Sequence, residues 1–215
     1  MEDRPISLLS WAYDQIKDML LSGELKQGEK LVVGHLAQQL SISPTPVKEA
    51  LNRLTAEGLL ITLPRRGFQV KCFTAKEVSD IFDCRLMMET YAAPLAIKNW
   101  SKHPELQEEM RSALNALANI PVHDYVAITH TEASFHSCII RLSENDYLFK
   151  LYNMIYSIGF AGFVYEASYH FEIAQTEHQQ IVDALESGST ERLVATLTKH
   201  LSKTAELYAE KPEMK

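Results

Sequence analysis

Cysteine is scarce in this chain and carries no pattern. Cys72, Cys84 and Cys138 form an odd set of three without metal-ligand or disulfide spacing. Reduced thiols and a cytoplasmic location are therefore expected, not a secreted cross-linked fold. The first residues, MEDRPISLLS, lack a basic region followed by an apolar core, so no signal peptide is evident. The longest apolar run, near residues 155–164, is too short to span a bilayer. Internal repeats and low-complexity segments are missing, and no convincing strand pattern follows residue 71. Net positive charge is missing too: the total is −7, which excludes a protein that coats nucleic acid generally. The deficit is uneven, however. Residues 1–70 hold eight Lys/Arg and eight Asp/Glu, leaving 13 basic and 20 acidic residues for the remainder. With 215 residues, 46% of them hydrophobic, the chain can bury a substantial core in one or two domains.

What is present is concentrated between Leu31 and Val70. His35 to Leu40 reads as a short helix, Ser41-Ile42 as a turn, and Ser43 as the N-cap of a second helix with Pro44 at its first position. Val47, Ala50, Leu51 and Leu54 fall at i, i+3, i+4, i+7, an inward stripe that leaves Thr45, Lys48, Asn52 and Arg53 outside. Gly58 terminates that helix. Leu59–Leu63 and Phe68–Lys71 read as two strands joined by Pro64-Arg65-Arg66-Gly67. Two helices alone could be an ordinary helical corner. The paired arginines at a hairpin tip instead point to a winged helix-turn-helix that meets DNA. Ser43, Thr45, Lys48 and Arg53 on the second helix, with Arg65, Arg66 and Gly67 at the wing, are the candidate contacts.

The boundary falls at Lys71–Phe73, dividing a head of residues 1–71 from residues 72–215. Thr74-Ala75-Lys76-Glu77 is a capping box that opens a helical stretch to about Trp100, which Pro94 should kink or break near Ala93. Helical patterns follow at 104–118, 122–142, 146–167, 171–187 and 190–208. The fold class expected is mainly α: the winged head plus an antiparallel six-helix bundle.

The bundle holds a second constellation. Glu132 and His136 share a helix face at i, i+4, His178 precedes the stripe Ile181, Val182, Leu185, and His200 accompanies Leu193, Leu197 and Leu201. Singly, each histidine reads as a satisfied core or surface residue. Together, three histidines and a carboxylate on inward faces of three helices can converge on one divalent metal. Arg85 sits among Ile81, Phe82, Leu86 and Met88, and reads as a surface arginine or as one paired with Glu89 at i, i+4. His35, His103, His123, His130 and His170 read as solvated. Tyr152, Tyr156, Phe160, Phe163 and Tyr165 read as core or dimer interface.

Ser43-Pro44-Thr45-Pro46-Val47-Lys48-Glu49-Ala50-Leu51, Leu54, Glu57-Gly58-Leu59 and Arg65-Arg66-Gly67 resemble the signature of GntR-family bacterial regulators. Ile16, the Gly23 region and Gly28-Glu29-Lys30-Leu31 match that family's first helix and following loop. Relatives usually carry Arg at positions 44 and 48, and Lys48 lacks the bidentate fork that reads guanine, so the operator is expected to differ from the family norm. Glu132-Ala133-Ser134-Phe135-His136, Asn145, Glu177-His178 and His200-Leu201 resemble the FCD effector domain of the FadR subfamily, six helices fitting its shorter VanR-like branch. The resemblance implies a metal, often zinc or nickel, on Glu132, His136, His178 and His200, though Asp is usual at position 132. It also implies that Arg85, and more weakly Asn145, face a small carboxylate effector in the cavity. The function implied is a homodimeric, ligand-responsive regulator on a palindromic operator, with repression relieved by ligand as the family default. Two rivals remain: a metal-free regulator that senses an acyl or apolar ligand, and a metal-dependent hydrolase.

Overall fold

The computed structural model describes residues 7–121, 123–163 and 171–209. The chain divides into two compact units, Met1–Phe73 and Thr74–Lys215.

In the first unit, α1 (Leu8–Leu21) starts at Ser7, whose hydroxyl accepts from the Ser10 amide at 3.0 Å. Ala12, Ile16 and Leu20 on its inner side are buried against α3 (Pro44–Ala56). The α3 stripe Val47, Ala50, Leu51 and Leu54 is fully buried, as its spacing predicts. Between them α2 spans Val33–Gln39, two residues earlier at its start than expected, because Val32 already lies extended at the cap. Ser43 occupies the cap position of α3 but its side chain makes no capping hydrogen bond. An N-cap hydroxyl bonds the amide of the second or third helical residue, and the third here is Pro46, which has none, so one of the two possible partners is missing.

The sheet holds a strand that the sequence pattern did not reveal. The pair β1 (Lys30–Leu31) is followed by β2 (Leu60–Leu63) and β3 (Gly67–Val70), with spatial order β1-β3-β2, all antiparallel. Lys30 faces Gln69 and Leu31 faces Phe68, so β1 covers the edge of β3 that the wing hairpin leaves open. At the wing tip Arg65 and Gly67 both take positive φ, +61° and +92°. A Cβ on Gly67 would lie 2.9 Å from the Leu31 carbonyl oxygen, so β1 pairing itself demands glycine there.

Among the described residues the second unit is six helices: α4 (Ala75–Asn99), α5 (Pro104–Leu117), α6 (Tyr125–Arg141), α7 (Asp146–Phe163), α8 (Phe171–Ser187) and α9 (Thr190–Ala209), with a 3₁₀ turn at Trp100–Lys102. The Thr74 capping box is formed in both directions. α6 begins at Tyr125, not at 122, because the Asp124 carboxylate accepts from the Ala127 amide at 3.0 Å and fixes the start. The expected end of α7 at 167 lies outside the described residues, as does His170.

Pro94 does not break α4, which runs on to Asn99. Its ring is on the exposed face, so the carbonyl it deprives of a partner, that of Thr90, is on the side water can reach. The opposite face carries Ala92, Ala93 and Ala96, all fully buried, and that packing holds the helix through the proline. The core gathers Met88, Met110, Phe135, Ile139, Leu185, Leu193 and Leu197 from five helices. No described helix is long and apolar enough to cross a membrane.

Candidate functional site

On the head, Ser43, Thr45, Lys48, Arg65 and Arg66 are exposed and Gly67 is half-buried. Arg53 is exposed but engaged. Its Nε lies 3.0 Å from a Glu57 oxygen, and its guanidinium sits 3.8 Å from the centre of the Tyr13 ring. The Tyr13 hydroxyl donates to the other Glu57 oxygen at 2.6 Å. Burial first, then Glu57, pushes the Tyr13 phenol well above its usual value. Arg53 therefore ties α3 to α1, a bracing role the outward position of Arg53 in the sequence did not disclose.

The second constellation is brought together. One ligand atom from each of Glu132, His136, His178 and His200 can be chosen so that all lie within 4.8 Å of one another. The helical repeat explains how. On α6, Ile128, Glu132, His136 and Ile139 follow one another at three- and four-residue steps, so the two donors occupy core positions. On α8 His178 heads the buried row Ile181, Val182, Leu185, and on α9 His200 stands beside Leu197 and Leu201. His136 and His178 are fully buried, and His200 is nearly so. The Phe135 ring lies 4.6 Å from that of His178 and 5.3 Å from that of His136, an apolar wall on one side.

Hydrogen bonds orient two of the rings. His136 Nδ1 is 2.8 Å from Glu89 Oε2, and His200 Nδ1 is 3.0 Å from Glu177 Oε2. An ionised carboxylate only accepts, so each Nδ1 carries a proton and Nε2 is the nitrogen left to face a metal. His136 Nε2 is 3.3 Å from His178 Nε2, and Glu132 Oε2 is 3.3 Å from His178 Nε2 and 3.6 Å from His136 Nε2. Buried His178 Nδ1 has no hydrogen-bond partner among the described residues. A carboxylate among three buried imidazoles, with one ring nitrogen orphaned, calls for a positive charge between them, a proton or a metal ion. Three imidazoles and one carboxylate are also the donor set that divalent zinc or nickel takes. The residues fit such an ion.

The local electrostatics favour a positive charge inside the cluster. Burial alone would lower the His136 pKa, but Glu89 and Glu132 outweigh it and raise it. Burial dominates at His200 and holds it at about 4, so that ring stays neutral and ready to ligate. Burial opposes ionisation of Glu132, yet His178 and His136 keep its carboxyl well below the usual range.

Arg85 is buried, 4% exposed, and pairs with Glu89 at 3.1 Å, so the pairing weighed from the sequence is realised in the interior and not at the surface. Its guanidinium stacks 4.8 Å from the Tyr156 ring centre and 5.3 Å from that of Phe82. Asn145 is not in the cluster: its Oδ1 accepts from the Leu148 amide at 3.0 Å and caps α7. His103 is not simply solvated; it bridges Glu105 and Glu144 at 2.7 and 2.9 Å. Tyr152 and Tyr156 are buried, whereas the side chains of Phe160, Phe163 and Tyr165 lie outside the described residues. Glu89, Glu177 and Tyr152 were missed as site residues. That Glu89 follows Arg85 by four residues and Glu177 precedes His178 by one was visible, but contacts 47 and 23 residues apart in sequence were not.

Comparison with known proteins places these features. A family model described as "Bacterial regulatory proteins, gntR family" matches residues 9–70, and the FCD domain model matches residues 80–203. The HTH-type transcriptional regulator YdhC of Bacillus subtilis is 26% identical over 95% of this chain and 92% of its own length. A protein of Paenarthrobacter nicotinovorans described as "Probable D-xylose utilization operon transcriptional repressor" is 30% identical over 87% of this chain and 84% of its own. The solved structure of Escherichia coli McbR/YncC superposes with a TM-score of 0.77 at 23% identity, covering 94% of this chain and 97% of that one, which supports the fold.

Proposed function

The chain belongs to the GntR family of DNA-binding transcription regulators and carries the FCD effector-binding domain, and on that premise we propose that it is a metal-dependent repressor released by a small carboxylate. The observation that carries this reading is the buried quartet Glu132, His136, His178 and His200, with two of its imidazoles turned inward by carboxylates. A divalent zinc or nickel ion would be held by Glu132, His136, His178 and His200, and would supply a Lewis-acidic charge that attracts an oxygen of the effector. Arg85 supplies the second handle: its fork matches a carboxylate, and it stands one residue, Glu89, away from His136. The Phe82, Tyr156 and Phe135 rings keep water away from the charged groups and so strengthen their attraction for an anion.

At the head, Thr45 and Lys48 meet base edges or adjacent phosphates, Ser43 lies at the helix start, and Arg65, Arg66 and Gly67 form the wing contact. Arg53 reaches phosphate with the guanidinium edge left open by its Tyr13 and Glu57 contacts, more than half of the side chain being exposed. Two heads on a palindrome require a homodimer. The outer sides of α4 and α7, which pack together, offer exposed Met87, Tyr91, Tyr147, Leu151 and Met154, apolar surface of the kind a second copy covers. Repression is supported by relatives described as repressors. A cytoplasmic site of action follows from the DNA target.

The experiment runs in three arms: selection of genomic fragments by the purified full chain, elemental analysis without chelator or tag metal, and a thermal-shift screen of organic acids on metal-loaded protein. A palindromic fragment, one metal per chain and a carboxylate that raises Tm and releases the fragment are expected. Stoichiometric absence of metal in native protein sinks the metal reading; shifts only with long-chain acyl compounds sink the carboxylate reading.

A further inference from the structure

Glu89 is fully buried and its two oxygens do different work. Oε1 accepts from Arg85 Nε at 3.3 Å, from Arg85 Nη2 at 3.1 Å and from the Tyr152 hydroxyl at 3.0 Å. Oε2 takes His136 Nδ1 at 2.8 Å. One rigid carboxylate thus has the arginine on one oxygen and a cluster histidine on the other, and Tyr152 limits its rotation. We infer that Glu89 is a positioning residue that couples carboxylate capture at Arg85 to metal affinity at His136, so that each site is set by the state of the other. This rests on the reading of the quartet and Arg85 given above.

The coupling follows from what Glu89 can accept. With Arg85 paired to it, part of the Glu89 charge is neutralised and its pull on the His136 Nδ1 proton is weakened. When an incoming carboxylate draws Arg85 away, the full charge of Glu89 falls on His136. The imidazole becomes a stronger Nε2 donor, and an ion held there is held more tightly. Linkage makes the effect mutual: a metal that polarises His136 tightens its bond to Glu89 Oε2 and loosens the hold of Oε1 on Arg85, freeing the guanidinium for an anion. No other carboxylate is recorded on both an arginine and a cluster histidine among the described residues. Glutamine cannot replace it. Three donors from Arg85 and Tyr152 and one from His136 converge on these two atoms, and an amide nitrogen at either position meets a donor with a donor.

The test uses zinc alone as the probe, titrated against a competing chelator on the full chain. Glu89→Gln is expected to weaken zinc 10–100-fold. Arg85→Gln is expected to tighten zinc in the native background and to lose that effect when combined with Glu89→Gln, a non-additivity of fivefold or more. Additive effects within twofold overturn the coupling while leaving the metal reading intact. No zinc uptake by the unaltered protein removes both. A second measurement needs no variant: long-range nitrogen–proton spectra of the imidazoles should show His136 protonated on Nδ1 in the metal-free protein, a signature that mere packing of Glu89 would not fix. A His136 ring with no proton on Nδ1 overturns the proposal even if Glu89→Gln fails to fold.

Discussion

At the scale of single side chains, His178 is the donor with no carboxylate behind it, its Nδ1 being without a partner among the described residues. It is nonetheless fully buried against Phe135, so His178→Ala removes a ligand and leaves a cavity that lowers Tm. The expected outcome is a folded, DNA-binding protein that retains no metal and does not respond to effector; stoichiometric metal in that variant counts against the quartet. His103 gives a pH-dependent counterpart far from the quartet in chemistry. Bonds to Glu144 and then Glu105 raise its pKa above the ordinary imidazole value. A raised folded value means the charged form is favoured in the native state, so its stabilising contribution is complete below about pH 6.5 and is lost as pH rises through the folded value. A proton-detected titration should place His103 above free imidazole, and His103→Gln should remove the alkaline part of the stability profile. An unshifted titration dismisses the bridge.

Secondary-structure elements carry a different class of consequence. The wing depends on Gly67, where a Cβ meets the Leu31 carbonyl at 2.9 Å and φ is +92°. Gly67→Ala must strain the backbone and part β1 from β3, at a cost of about 1–3 kcal/mol. The expected readout is a lowered Tm with weakened operator binding, and an unchanged Tm would show that β1 does not hold the wing. Arg65→Ala or Arg66→Ala should instead leave Tm in place, weaken binding to all duplexes and reduce the salt slope by about one; an unaltered slope would mean the wing does not touch phosphate. The elements were also where the sequence was most legible. Long amphipathic helices announce themselves by repeated core positions, as do the row that His178 heads and the row that His200 joins. β1 escaped notice because two residues have no period to read. α4 was expected to fail at Pro94 because a local rule sees the missing amide but not the alanine face packed beneath it. The four donors were readable because they share faces with core residues. Glu89 and Glu177 were not, since only the folded chain brings each against a histidine, and Tyr13 and Glu57 around Arg53 were hidden for the same reason.

For the whole molecule, the apolar outer surfaces of α4 and α7 have a measurable consequence. Replacing Tyr91 or Leu151 by Glu places a charge where a second copy is expected. Sedimentation should then show monomers, with operator affinity reduced at least tenfold while metal content is unchanged. A dimer of normal strength would place the interface elsewhere. The donors themselves come from three helices, across residues 132 to 200, and only Glu132 and His136 are neighbours along the chain. An extended polypeptide therefore has at most a two-point grip on an ion, whereas the native form has four. Metal bound only by the native form adds its binding free energy to stability, about 2.7 kcal/mol at a hundredfold excess over Kd. Cellular proteases act on transiently opened chains, so cells starved of the metal that this quartet takes should degrade the regulator faster than replete ones. Trace-element supply would then govern how many copies survive, in addition to what each copy senses.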